Sequence, residues 1–206
     1  MPDLRMIPSP DLPRAELDAR LRALGYARAG DEPRTHLRYR LRTWRHPAGS
    51  SVTLCEVHVT GERYAWVHAE ALDDLSQALG ALPRAALLQG ADAAPSPREA
   101  LPWLRRLCLL EYAVLSPELR EHLTRALTDS DLLVRSSALA AALCLAREHA
   151  VWALEVVAKA ETDPSLRKMY ARTAKDERAK LNQPTAPAAA KGGRKPRADK
   201  KRAEKS

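Results

Sequence analysis

Residues 34–70 read RTHLRYRLRTWRHPAGSSVTLCEVHVTGERYAWVHAE, and the pairing inside this stretch decides the fold. Leu37, Tyr39 and Leu41 alternate with Arg38, Arg40 and Arg42, the period of a half-buried strand. A three-residue loop of Pro47, Ala48 and Gly49, with Gly49 in the left-handed region, sets His46 opposite Ser50. Opposed residue numbers then sum to 96, so Leu37, Tyr39 and Leu41 face Val59, Val57 and Cys55, while Arg38 and Arg40 face His58 and Glu56. A second turn at Gly61 and Glu62 places Val59 beside Tyr64 and Val57 beside Trp66. The prediction is a three-stranded meander with these apolar residues toward the core and the arginines on a solvated face.

Upstream, AELDARLRALGY (15–26) carries Leu17, Leu21 and Leu24 at helical spacing, between Pro13 at a first-turn position and Gly25 at the stop. Downstream, Leu72, Leu75, Leu79 and Leu82 repeat the pattern. The expected class is α+β: a small N-terminal α-β-β-β-α unit over residues 1–94, a helical part over 95–181 and a tail over 182–206. The Ala/Pro-rich stretch 83–97 is expected to be a crossing segment or linker.

From Arg98 to Leu181 the apolar spacing is helical, with breaks at Ser116-Pro117, Asp129–Asp131, Arg147–His149 and Asp163-Pro164, which predicts about five helices. Two segments align 32 residues apart: Asp131, Val134 and Arg135 recur as Asp163, Leu166 and Arg167. Each Asp is placed to cap a helix, and each Arg, one turn in, can reach an acidic or carbonyl group of a neighbouring turn. Ala138, Ala141 and Ala142 in one copy, and Ala171 and Ala174 in the other, allow close helix approach. The Asp-x-x-Val-Arg pattern resembles that of HEAT repeats, in which antiparallel helix pairs stack into an α-solenoid. The resemblance covers residues 98–181 and implies that these six residues form a structural ladder between repeats, with the N-terminal unit closing one end of a short solenoid. Meander plus helices is also similar overall to uncharacterised bacterial HEAT-repeat proteins.

The composition suits closely packed helices: there is no Phe, and Trp and Tyr number 4 and 5. Cys55, Cys108 and Cys144 stand in no metal or redox spacing and are expected to be buried and structural in a reducing cytoplasm. Neither a signal-peptide core nor an apolar run of about 18 residues occurs, so neither export by that route nor a membrane partner is expected. Of the net +8, the tail supplies +6, from Lys191, Arg194, Lys195, Arg197, Lys200, Lys201, Arg202 and Lys205 against Asp199 and Glu204. It contains no large apolar residue and is expected to stay disordered.

The motifs GxSxG and HExxH are absent, and 8 Gly make a Gly-rich phosphate loop improbable. In the register above His46 ends a loop while His58 and His68 point to opposite faces, so no metal is expected. No cofactor and no catalytic residues are assigned. Trp103 and Trp152 are expected to pack in part rather than anchor a partner. Arg38, Arg40 and Arg42 could meet an anionic partner, although cross-strand pairing such as Arg40 with Glu56 competes. The expected function is a cytoplasmic, non-catalytic scaffold that docks a protein partner. The alternatives are nucleic-acid binding through the tail and the arginine strand, or an enzyme on HEAT-like helices, such as a DNA glycosylase or a bilin lyase.

Overall fold

The computed structural model describes residues 4–34, 39–57, 62–70 and 72–182. The segments are β1 (Leu4–Met6), α1 (Arg14–Ala23), β2 (Ala27–Arg34), β3 (Tyr39–Arg45), β4 (Ser51–Val57), β5 (Arg63–His68), α2 (Leu72–Leu79), α3 (Arg84–Asp92), α4 (Pro97–Leu110), α5 (Pro117–Leu127), α6 (Leu132–Ala142), α7 (Arg147–Ala160) and α8 (Pro164–Leu181). The fold is α+β. Its sheet is antiparallel with order β1-β5-β4-β3-β2, five strands rather than the three of the meander. β1 adds Leu4 opposite Val67, and β2 adds Arg34 opposite Tyr39, with a bulge between Arg28 and Gly30. Neither extra strand alternates: LRM is too short, and ARAGDEPR mixes Gly, Pro and charge, features that suit an edge strand.

The β3–β4 hairpin has the predicted register. Tyr39, Arg40 and Leu41 pair with Val57, Glu56 and Cys55. The His46 N–H donates to Ser50 O at 2.9 Å, and Gly49 has φ of 93°. The predicted partners Leu37, Arg38, His58 and Val59 lie outside the described residues. The second hairpin differs: Glu56 pairs with Arg63 and Cys55 with Tyr64, and the Val57 N–H donates to Glu62 O. The connection therefore spans 58–61 instead of turning on Gly61 and Glu62. The slip is four residues, an even number, so the faces are preserved.

The sheet face chosen for the α1/α2 core is the opposite of the predicted one. Trp44, Val52, Leu54, Ala65 and Val67 pack against Leu17 and Leu21 of α1 and Leu75 and Leu79 of α2. This is the face of Arg40 and Arg42. The alternation of β3 is clear only where its arginines lie; Trp44 ends the same row, and β4 and β5 contribute Val52, Leu54 and Val67 to it. The larger apolar volume wins, and Arg42 is accommodated by pairing with Glu56. Asp18 of α1 accepts from Trp44 Nε1 at 2.8 Å, and that bond holds its carboxyl below the usual range. The other face is used in part: Cys55 is buried, and Tyr64 packs on the helical core.

Stretch 83–97, expected as a linker, contains α3. Leu87 and Ala91 are buried on its inner face, and α3 packs closely on α4. A Cβ at Gly90 would lie 2.5 Å from the ring of Trp103, which is half-buried there. Gly90→Ala should therefore lower stability by about 1–3 kcal/mol, the usual cost of overpacking. A chemical-denaturation midpoint unchanged from the parent protein would show that the ring can move aside.

Five helices, α4–α8, are present, and three of the four predicted breaks hold; the one expected at Arg147–His149 falls instead at 143–146, and Arg147 opens α7. Ser96, Ser116, Asp131 and Asp163 each accept a backbone N–H of the helix they precede, with Pro97, Pro117 and Pro164 in the first turn of α4, α5 and α8. Packing is between chain neighbours and also between alternate helices, α4 with α6 and α5 with α7. Ile7, just after β1, inserts into the helical core and accepts from the Leu82 N–H at 2.8 Å, so the N-terminal strand belongs to both cores.

Candidate functional site

The arginine row is occupied from within. Arg42 is 8 % exposed and Glu56 5 % exposed; they form an ion pair, and Arg14 Nε of α1 donates to the same carboxylate at 2.8 Å. Arg40 donates twice to Asp31 of β2, at 2.5 and 2.7 Å, and Arg28 reaches the same group. The Arg40 hydrogen bonds, helped by the charges of Arg42 and Arg28, hold the Asp31 carboxyl below its usual range. Arg42 is therefore buried on the covered face of the sheet, which corrects the expectation of a solvated face at that position, whereas Arg40 and Asp31 pair where both are still partly exposed. Arg38 lies outside the described residues. Arg63, at the rim of a neighbouring cavity of about 370 Å³, donates to the carbonyls of Ser9, Pro10 and Leu12 and ties down the segment before α1.

In the helical part Arg135 makes two bonds to Glu161, at 3.0 and 2.9 Å, and donates to the Asp129 and Ser130 carbonyls. Both side chains are buried. Glu161 also accepts from the N–H groups of Thr162 and Asp163, and Arg167 donates to its carbonyl at 2.9 Å. Glu161 is thus the point where the two Asp/Arg segments meet. Val134 is buried and Leu166 half-buried on the inner sides of their helices. The backbone N–H of Asp163 and the Arg135 guanidinium depress the Glu161 carboxyl.

A depressed carboxyl stabilises the fold above its unfolded-state pKa, and that contribution is lost as pH falls through the folded value. Asp18, Asp31, Glu118, Glu161 and Glu177 are all shifted this way. Stability should therefore be flat near neutrality and fall progressively below about pH 4.5, where unfolded carboxylates begin to bind protons. Thermal melts from pH 7 to 3 read this directly; a melting temperature that rose on acidification would contradict the pairing.

A cavity of about 410 Å³ lies at the hairpin end of the sheet. Tyr26, His46, Ser50, His68, Glu70 and Asp74 line it. The Tyr26 and Ser50 hydroxyls are 2.9 Å apart, and His46 Nδ1 accepts from the Ala48 N–H, which leaves Nε2 as the protonated nitrogen of a neutral ring. The turn geometry of 46–50 was legible in the sequence; the approach of Tyr26 and His68 to it was not, because it depends on the pairing of β5 and on α1. A cavity of about 230 Å³ between α3, α4 and α5 holds His122, 2.9 Å from Asp92. Among the described residues no group of three or more His, Cys, Asp or Glu is placed to hold a metal.

Cys55 and Cys108 are buried as expected, and burial pushes both thiols up. Cys144 is not: it sits in the turn after α6, exposed, with its sulfur 3.7 Å from Ala140 O. Helix α6 ends at Ala142, four residues before the apolar run does at Ala146, so the Cys144 thiol leaves the packed face. Trp103 and Trp152 are half-buried, each under an arginine, Arg106 and Arg120.

Sequence reasoning missed Arg5. Its guanidinium lies 3.9 Å from the centre of the Tyr112 ring, with Tyr64 and Trp66 at 5.5 and 5.8 Å, and Nη1 donates to Leu109 O. It clamps the sheet to the α4–α5 turn. Next to it, the Ala146 N–H donates to Tyr112 O at 2.7 Å, which joins the turns after α4 and α6. Tyr112, Val114 and Leu143 are exposed on these turns, Val114 to 68 %. No helix among the described residues is long and apolar enough to cross a membrane. Comparison with protein-family models, with curated proteins and with solved structures finds no match.

Proposed function

We propose that α4–α8 form a short HEAT-like solenoid closed at one end by the N-terminal sheet unit, and that the protein is a non-catalytic scaffold that docks a protein partner. The observation that carries the reading is that Tyr112, Val114 and Leu143 are exposed on two turns that hydrogen-bond to each other where sheet and helices meet. Large apolar side chains exposed on a rigid base are the usual core of a protein interface. The packing of alternate helices and the Arg135–Glu161–Arg167 connection support the solenoid part, since each repeat in such an array contacts the next. Glu111, Glu118 and Glu161 each bind both a backbone N–H group and an arginine, and their engagement in capping and ion pairs favours scaffold over acid–base chemistry.

The test is affinity capture with the full chain from its native cells, beside a Val114→Asp, Leu143→Asp variant whose circular dichroism matches the parent. A partner retained by the parent and lost from the variant supports the reading. Capture of no protein, or capture indifferent to the two substitutions, overturns it.

A further inference from the structure

Every one of the nine lysines in the chain lies at position 159 or later. Before that point the basic residues are arginines, and many are committed to internal carboxylates, among them Arg14, Arg40, Arg42, Arg84, Arg106 and Arg135. Residues 164–206 hold fourteen basic and four acidic residues, a net +10, which leaves residues 1–163 at −2. The excess positive charge therefore begins in the last described helix, not at residue 182.

Helix α8 presents that charge in an ordered way. It buries Tyr170 and Ala174, and at 100° per residue Lys168, Arg172 and Lys175 fall within about 60° of one another on the opposite side. All three are exposed. Lys168 and Lys175 have no ion-pair partner among the described residues, and Arg172 lies 3.9 Å from Asp176. The neighbouring Glu177 is engaged by Arg147 and Lys180.

We propose that the Lys168–Arg172–Lys175 face of α8 binds the phosphate backbone of duplex nucleic acid, with the eight basic residues of 182–206 that follow in sequence adding to the charge that meets it. Charge complementarity selects the partner. A stripe of cations about 10 Å long followed by eight more basic residues matches a polyanion of high linear charge density, and binding draws on counterion release. Residues 182–206 contain no Leu, Ile, Val, Met or aromatic residue, the anchors that a protein interface or membrane insertion would use. Backbone contact of this kind positions the protein without reading sequence. The arginine strand plays no part, since its described members Arg40 and Arg42 are spent on Asp31 and Glu56.

The experiment measures fluorescence anisotropy of a labelled DNA duplex of mixed sequence against the full chain, from 50 to 300 mM salt. Each neutralised phosphate contributes about −0.9 to the slope of log K against log salt. Lys168→Ala, Arg172→Ala, Lys175→Ala together should reduce the slope by about 2–3 and weaken binding about tenfold or more at 100 mM salt, alike for unrelated duplex sequences. Truncation after Asn182 should remove most of the remaining slope, and Arg98→Ala, an exposed control on α4, should change neither value. Phosphatidylglycerol vesicles serve as the competing anionic surface. A triple variant with parental slope, binding that ignores salt, or binding to vesicles but not to duplex overturns the proposal.

Discussion

Glu56→Ala is expected to lower the unfolding free energy by about 3–5 kcal/mol, the cost of leaving a buried charge without its partner. Arg42 is buried and, among its ion-pair partners in the described residues, would retain only Asp31, 3.6 Å from its Nε. Arg14 would lose the same acceptor. The paired replacement Arg42→Met, Glu56→Leu should be far milder, because apolar side chains of similar volume replace both charges at once and leave none uncompensated. Urea unfolding of the two variants separates this geometry from the solvated arginine face read from the sequence. On a solvated face Arg40, Arg42 and their partners would be surface pairs, worth about 0–1 kcal/mol each. A loss below about 1 kcal/mol for Glu56→Ala would return the row to solvent.

The contrast between legible and illegible features has a physical basis here. Local geometry was readable: a left-handed Gly49 fixes the β3–β4 register, and Ser116, Asp131 and Asp163 fix helix starts through their own side chains. What depended on distant volume was not. The choice of sheet face turns on Trp44, Val52, Leu54 and Val67 meeting helices α1 and α2, and a clean Arg alternation in one strand says nothing about how its neighbours fill the other row. Helix α3 was hidden by an Ala/Pro composition whose helical signal comes down to Leu87, Ala91 and a glycine under Trp103. For the candidate surfaces the same division holds. Arg135 and Arg167 were visible as a repeat, whereas Glu161, which joins them, belongs to neither copy of the motif. The tail charge was visible too, but its continuation onto α8 required knowing which side of that helix is buried.

Trp44→Ala should cost about 3–5 kcal/mol, the usual range for removing a fully buried tryptophan. Trp44 is 1 % exposed at the centre of the sheet core, and its loss also leaves the Asp18 carboxylate without the indole donor that depresses its pKa. The more informative readout is how far the damage spreads. Ile7 sits in the helical core while the adjacent Met6 sits in the sheet core. Arg5 clamps Tyr112, and Arg106 of α4 pairs with Glu62 at the end of the β4–β5 connection. With these ties the sheet unit and helices α4–α8 should unfold together, so the helix signal in far-UV circular dichroism, dominated by residues 84–181, should shift to lower denaturant as much as the fluorescence of Trp66 does once Trp103 and Trp152 are replaced by Phe in both proteins. A helix transition left at the parental midpoint while the sheet melts early would mean that the β1 segment does not couple the two cores. The N-terminal unit would then be an appendage to the helices rather than the cap proposed for it.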